Sequence, residues 1–161
     1  MLADMFRLAC APARVWQTDE LGAILRHQLS APVQFDLQSM DRTLADRLSR
    51  VCESHGLLLK SFADLLFHPS PPLELLELTK QFAKACRNHP DSPLPHDVAM
   101  VLYLASIVTA MLRCGRRITN MNDQALCDSL EWAIRKPWLD ERLRSLLNQG
   151  LDHLKKQEGR P

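Results

Sequence analysis

The chain has 161 residues, of which 46% are hydrophobic and 24% charged, with a net charge of +1. This length predicts one domain that buries a core without disulfides or metals; we place it over residues 1–161, with loosely ordered ends at 1–17 and 157–161. Twenty basic against nineteen acidic side chains produce no overall field for nucleic acid or an anionic membrane, so neither is an expected partner.

Helices dominate the predicted elements, because leucine is frequent and only five glycines occur. The spacing of apolar residues predicts helices over residues 18–29, 39–54, 61–67 and 71–88. Residues 89–95 contain three prolines and are expected to form a loop.

An apolar run of fifteen residues without a charge follows, at residues 98–112. As a helix this run is about 22 Å long, which is shorter than the bilayer core of about 30 Å. We therefore expect it to be the buried central helix of the domain, extending over about residues 96–114. The hydroxyls of Ser106 and Thr109 are expected to bond the carbonyls one turn back, at Leu102 and Ala105, so that their burial costs little.

Two further helices are predicted near the C-terminus, over residues 122–134 and 138–156. Asn122 is expected to cap the first of them, and Pro137 to separate the two. The expected fold class is all-α, a single compact bundle of about six to eight helices around the central helix.

The five cysteines are odd in number and scattered over the helical segments, which is unlike the paired pattern of a disulfide framework. Free cysteines in helices behave as small hydrophobic residues, and the cytoplasm keeps them reduced. No signal peptide is expected either, because Asp4 and Arg7 interrupt the first apolar segment. A cytoplasmic protein is therefore expected.

Two Cys-x-x-His motifs are the first candidates for chemistry. They are Cys52 with His55 and Cys86 with His89, and together they supply four ligands of the kind that zinc prefers. Neither pair lies in the glycine-rich knuckle typical of structural zinc sites. The simpler interpretation is that the cysteines face the core and the histidines are exposed at helix ends, so no metal or cofactor is expected.

His96 and Asp97 form a His-Asp doublet, the second candidate. Helical metal-dependent phosphohydrolases of the HD class bind divalent metals through a separate His, a His-Asp doublet and a later Asp. In that class the doublet follows an apolar helix, whereas here it precedes one, so no family is assigned. The remaining ligands of an HD-like enzyme would be one of His55, His68 and His89, and either Asp123 or Asp128. The alternative is that Asp97 stabilises the start of its helix through the helix dipole.

A third candidate is the cationic segment with Arg113, Arg116 and Arg117, which we expect to lie near Arg135 and Lys136 at one end of the bundle. Such a cluster would bind an anion or nucleic acid. The alternative is that these cations cap helix C-termini and are otherwise solvated.

The leading hypothesis for function is a non-enzymatic helical interaction or regulatory protein. No glycine-rich phosphate loop or nucleophile elbow occurs in the sequence. The expected partner is an unidentified protein or a second copy of the chain, as a homodimer. Trp16, Trp132 and Trp138 are the expected anchors of an interface, because aromatic residues dominate binding energies.

Overall fold

A computed structural model describes residues 17–30, 50, 61–88 and 94–158. The helices are α1 (Thr18–Ser30), α2 (Phe62–Phe67), α3 (Leu73–Asn88), α4 (His96–Thr109), α5 (Asp123–Ile134) and α6 (Glu141–Glu158). Helix α4 continues as a π-helical turn over Ala110–Cys114. The described ranges pack compactly and contain no strand, so the predicted all-α fold is confirmed. Of the helix predicted over residues 39–54, only residue 50 is described.

Helix α4 is the centre of the bundle, as the apolar run predicts. Its side chains from Val98 to Thr109 are buried, apart from the half-buried Met100 and Tyr103. Together with the π-helical turn the helix spans His96–Cys114, which by length and composition alone would suffice to cross a membrane. In this fold 67% of that segment is buried inside the protein, as expected of a core helix.

Helix α3 runs antiparallel to α4 and shares with it the most extensive helix–helix interface of the described bundle. The thiol of Cys114 contacts the carbonyl of Pro71, whereas the Arg87 guanidinium lies over the Tyr103 ring. The start of α3 therefore lies beside the end of α4, and the end of α3 lies beside the start of α4.

The two buried hydroxyls of α4 have different partners. Ser106 donates to the Leu102 carbonyl at 2.9 Å, as predicted. Thr109 was expected to bond Ala105 but donates instead to the carbonyl of Leu66 in α2, at 3.1 Å. Leu66 lies in the last turn of α2, where carbonyls have no partner within the helix. The Thr109 hydroxyl therefore joins α4 to α2 and caps the end of α2.

Local capping chemistry sets several helix ends. Asn122 accepts a hydrogen bond from the Ala125 amide at 2.8 Å, which confirms the predicted cap of α5. Gly115 has φ of 63°, the left-handed conformation that favours glycine, and it ends the π-helical turn.

Helix α6 begins later than predicted, at Glu141 instead of Trp138. The Asp140 carboxylate accepts from the amides of Arg142 and Leu143, so it provides the cap. The residues before it form a turn, in which Trp138 is buried in the core.

The guanidinium of Arg144 holds that turn closed. It donates to the Ile134 carbonyl at 3.1 Å and to the Lys136 carbonyl at 2.7 Å. These are carbonyls at the end of α5, beyond the reach of its own amides. One side chain of α6 thus caps α5.

Helices α4 and α6 approach most closely at Gly150. A Cβ atom there would lie 2.8 Å from both methyl carbons of Val108, and Val108 is fully buried. Because valine is stiff at χ1, it has little freedom to move aside.

We expect Gly150→Ala to destabilise the protein. Alanine gains about 1 kcal/mol of helix propensity, but overpacking of a core contact costs about 1–3 kcal/mol. A net loss of up to about 2 kcal/mol should appear in urea unfolding. The control Asn148→Ala, exposed on the same helix, should stabilise the protein by about 0.5 kcal/mol through helix propensity alone. In the double variant, Val108→Ala should remove the overpacking caused by Gly150→Ala. A more stable Gly150→Ala variant would contradict the close approach.

We expect Thr109→Val to lower the free energy of unfolding by about 1–2 kcal/mol, because the Leu66 carbonyl loses its buried donor while the side-chain volume is preserved. Ser106→Ala is the control, because the Ser106 hydroxyl bonds the Leu102 carbonyl within α4. When the hydroxyl is removed, this carbonyl keeps the backbone hydrogen bond of the helix. Equal losses in the two variants would argue against a link between α4 and α2. Urea unfolding measures both.

Candidate functional site

An open cavity of about 430 Å³ lies where α3 ends, α4 begins and the second half of α5 passes them. Three helices supply its walls, and we call it the α3–α5 cavity. Its lining residues are Arg87, His96, Asp97, Met100, Asp128, Ser129 and Trp132.

Helical spacing explains how these side chains come together. Asp97 and Met100 are three residues apart on α4, and Asp128 and Trp132 are four residues apart on α5. Residues at these separations lie on the same face of a helix. The antiparallel packing of α3 on α4 then brings Arg87 to the same place.

The cations near the cavity are held by aromatic rings. The Arg87 guanidinium lies 5.4 Å from the centre of the Tyr103 ring, and its Nη1 lies 3.3 Å from the Met100 sulfur. Lys136, just outside the lining, places its ammonium 4.6 Å from the centre of the Trp132 ring. These contacts fix two walls of the cavity.

The carboxylates have no such cationic partner. Asp97 is half-buried in the first turn of α4, where Pro95 offers no side-chain cap. Asp128 is exposed and accepts a hydrogen bond from Gln124 at 2.9 Å. The ion pairs within the described ranges all involve other residues. Apart from His96, one arginine and two aspartates give the lining a formal charge of −1.

The Cys-x-x-His residues are only partly described. Cys86 is buried in the last turns of α3, which agrees with the interpretation that it faces the core. Cys52, His55 and His89 lie outside the described residues, so the proposed convergence of the two motifs stays a prediction.

The HD-like candidates divide between the two ends of the bundle. His96, Asp97 and Asp128 line the α3–α5 cavity together. His68 lies at the other end, because it follows α2, whose last turn contacts Thr109. Asp123 also lies there and pairs with Arg117.

No three histidine, cysteine, aspartate or glutamate side chains are placed to hold a metal ion in the part of the chain that the structure describes. The two candidates that would have to complete an HD-like site, His55 and His89, lie outside that part. The HD-like site therefore stays a prediction.

The cationic candidates are also separated. Arg113 and Arg116 are exposed after α4, and Arg117 donates to Asp123. Because the cavity joins the start of α4 to the second half of α5, these helices are antiparallel. Arg135 and Lys136 therefore lie at the opposite end from the three arginines. The structure does not assemble one basic patch from both groups.

Some residues of the α3–α5 cavity were not recognised from the sequence. No motif in the sequence singled out Arg87, Met100 or Ser129. Arg87 and Met100 meet only because α3 packs against α4. Among the tryptophans, Trp132 is half-buried and lines the cavity, Trp138 is in the core, and Trp16 lies outside the described residues.

We expect Arg87→Lys to lower the free energy of unfolding by about 0.5–1 kcal/mol, because lysine keeps the charge but loses the planar stacking on Tyr103. Urea unfolding measures the change, and Lys84→Arg on the exposed face of α3 is the matched control. An unchanged Arg87→Lys variant would show that the ring contact contributes nothing.

No protein-family model, curated protein or solved structure matches this chain. The chemistry of the α3–α5 cavity and of the surrounding surface is therefore the basis for a functional proposal.

Proposed function

We propose that the protein is a non-enzymatic helical interaction protein of the cytoplasm, and that the α3–α5 cavity holds a segment of a protein partner. The observation that carries this proposal is the composition of the cavity. A half-buried tryptophan and a half-buried methionine lie there beside two carboxylates that form no ion pair with any described residue.

Such a composition suits recognition of a polypeptide. Protein interfaces are enriched in aromatic residues and methionine at their centre, and polar groups surround them. Trp132 and Met100 supply the apolar centre, and the side chains of Asp97, Asp128 and Ser129 supply polar groups around it.

Two side chains in the walls of the cavity, Arg87 and Trp132, are also ordered in the absence of a partner. Arg87 is fixed by Tyr103, and Trp132 carries Lys136 on its ring. Side chains that are already ordered lose less conformational entropy on binding. The cytoplasmic setting of the proposal follows from the odd number and scattered positions of the five cysteines, which are unlike a disulfide framework.

Site-specific crosslinking in cells tests this function. The photoreactive residue p-benzoylphenylalanine replaces Ser129, a half-buried residue of the cavity, and in a matched variant it replaces Asp152, an exposed residue of α6. We expect a covalent adduct of discrete mass from position 129 and none from position 152. An adduct of twice the chain mass would identify a second copy as the partner.

The dependence of the adduct on the cavity is the second readout. Trp132→Ala removes the aromatic wall, so it should abolish the adduct at position 129 while the protein remains folded by circular dichroism. Absence of an adduct at position 129, or equal adducts at positions 129 and 152, would contradict the proposed function.

A further inference from the structure

We infer that the partner segment in the α3–α5 cavity presents a basic side chain, arginine or lysine, to Asp97 and Asp128. This inference rests on the proposed function and specifies the chemistry of the partner. The two carboxylates come from different helices and line one cavity, and neither forms an ion pair in the described part of the chain.

The charge balance of the cavity favours a cation. The lining carries one arginine and two aspartates, so it has a formal charge of −1. Arg87 is directed to the Tyr103 ring and the Met100 sulfur, so it does not neutralise the aspartates through an ion pair. A cation that enters the cavity therefore meets complementary charge.

The apolar walls suit the same ligand. An arginine or lysine side chain has an apolar stem, which packs against methionine and tryptophan, and a charged head that reaches carboxylates. The Trp132 ring already carries the Lys136 ammonium, so the charged head of the ligand is directed to the carboxylates and only its stem packs on this ring. A cavity of about 430 Å³ accommodates one long side chain with part of its backbone.

An anion is the competing ligand, because the amides at the start of α4 and the guanidinium of Arg87 would attract it. However, Asp97 lies in that first turn and lines the same cavity. Its carboxylate interacts favourably with the positive end of the helix and repels an anion. The cation is the better match.

Titration of the isotope-labelled full chain with two blocked tripeptides, followed by NMR, tests the inference. The probes are acetyl-Gly-Arg-Gly-amide and acetyl-Gly-Glu-Gly-amide. We expect the arginine probe at millimolar concentration to shift the signals of the Trp132 indole and the Asp97 amide in a saturable way. The glutamate probe should leave them unchanged, and added salt should weaken the arginine complex.

Variants assign the binding to the carboxylates. Asp97→Asn should weaken binding of the arginine probe about fivefold, and the exposed Asp128→Asn should weaken it about twofold. The matched control, Asp152→Asn on α6, should bind like the original protein. Arg87→Gln should strengthen the arginine complex, since it removes the cation that opposes the ligand.

Three results would overturn the inference: no shift with the arginine probe, a stronger shift with the glutamate probe, or an affinity for the arginine probe that stays that of the original protein in both the Asp97→Asn and the Asp128→Asn variants. The proposed function and the basic ligand can be refuted independently of each other. A crosslinked adduct at position 129 without arginine binding would refute the basic ligand and leave the interaction function in place. Arginine binding without an adduct would refute the interaction function.

Discussion

The burial of α4 on nearly all sides is the constraint on which the rest of the structure depends. A helix with apolar residues around its whole circumference needs neighbours on every side, and α2, α3, α5 and α6 all contact it. Its two buried hydroxyls require partners, because an unpaired buried polar group costs about 1–3 kcal/mol. Ser106 finds its partner within α4, and Thr109 finds one in α2, so the polar residues of α4 also help to position the surrounding helices.

The α3–α5 cavity lies where the first turn of α4 extends beyond the core. The first residues of α4 are polar: His96 is exposed and Asp97 is half-buried. Because α4 has no apolar surface there, α3 and α5 do not pack closely against it, and the cavity lies between the three helices. The side chains at this end face both the core and water, as Met100 and Trp132 do. The Arg87 guanidinium lies over the Tyr103 ring and the Lys136 ammonium lies over the Trp132 ring. These contacts order the side chains that form the walls of the cavity.

Local features of the fold could be predicted from the sequence, because they depend on neighbouring residues. The uncharged run predicted α4, Asn122 predicted the start of α5, and Gly115 marks the end of the π-helical turn. The partner of Thr109 could not be predicted, since Leu66 is distant in sequence. The cavity itself was not predicted. The HD-like hypothesis grouped Asp97 with either Asp123 or Asp128, and only the packing of α5 against the start of α4 places Asp128 beside Asp97 and leaves Asp123 with Arg117.

A comparison within the molecule supports the inference that the carboxylate of Asp97 binds a basic group from outside. Three half-buried aspartates lie at helix starts: Asp97, Asp123 and Asp140. Asp123 pairs with Arg117, and Asp140 accepts hydrogen bonds from two amides of α6. Asp97 has neither arrangement in the described structure, and the other carboxylate of its cavity, Asp128, holds only a neutral amide. Since a carboxylate at the edge of a core is stabilised by an opposite charge, the proposed basic side chain would supply at Asp97 what Arg117 supplies at Asp123.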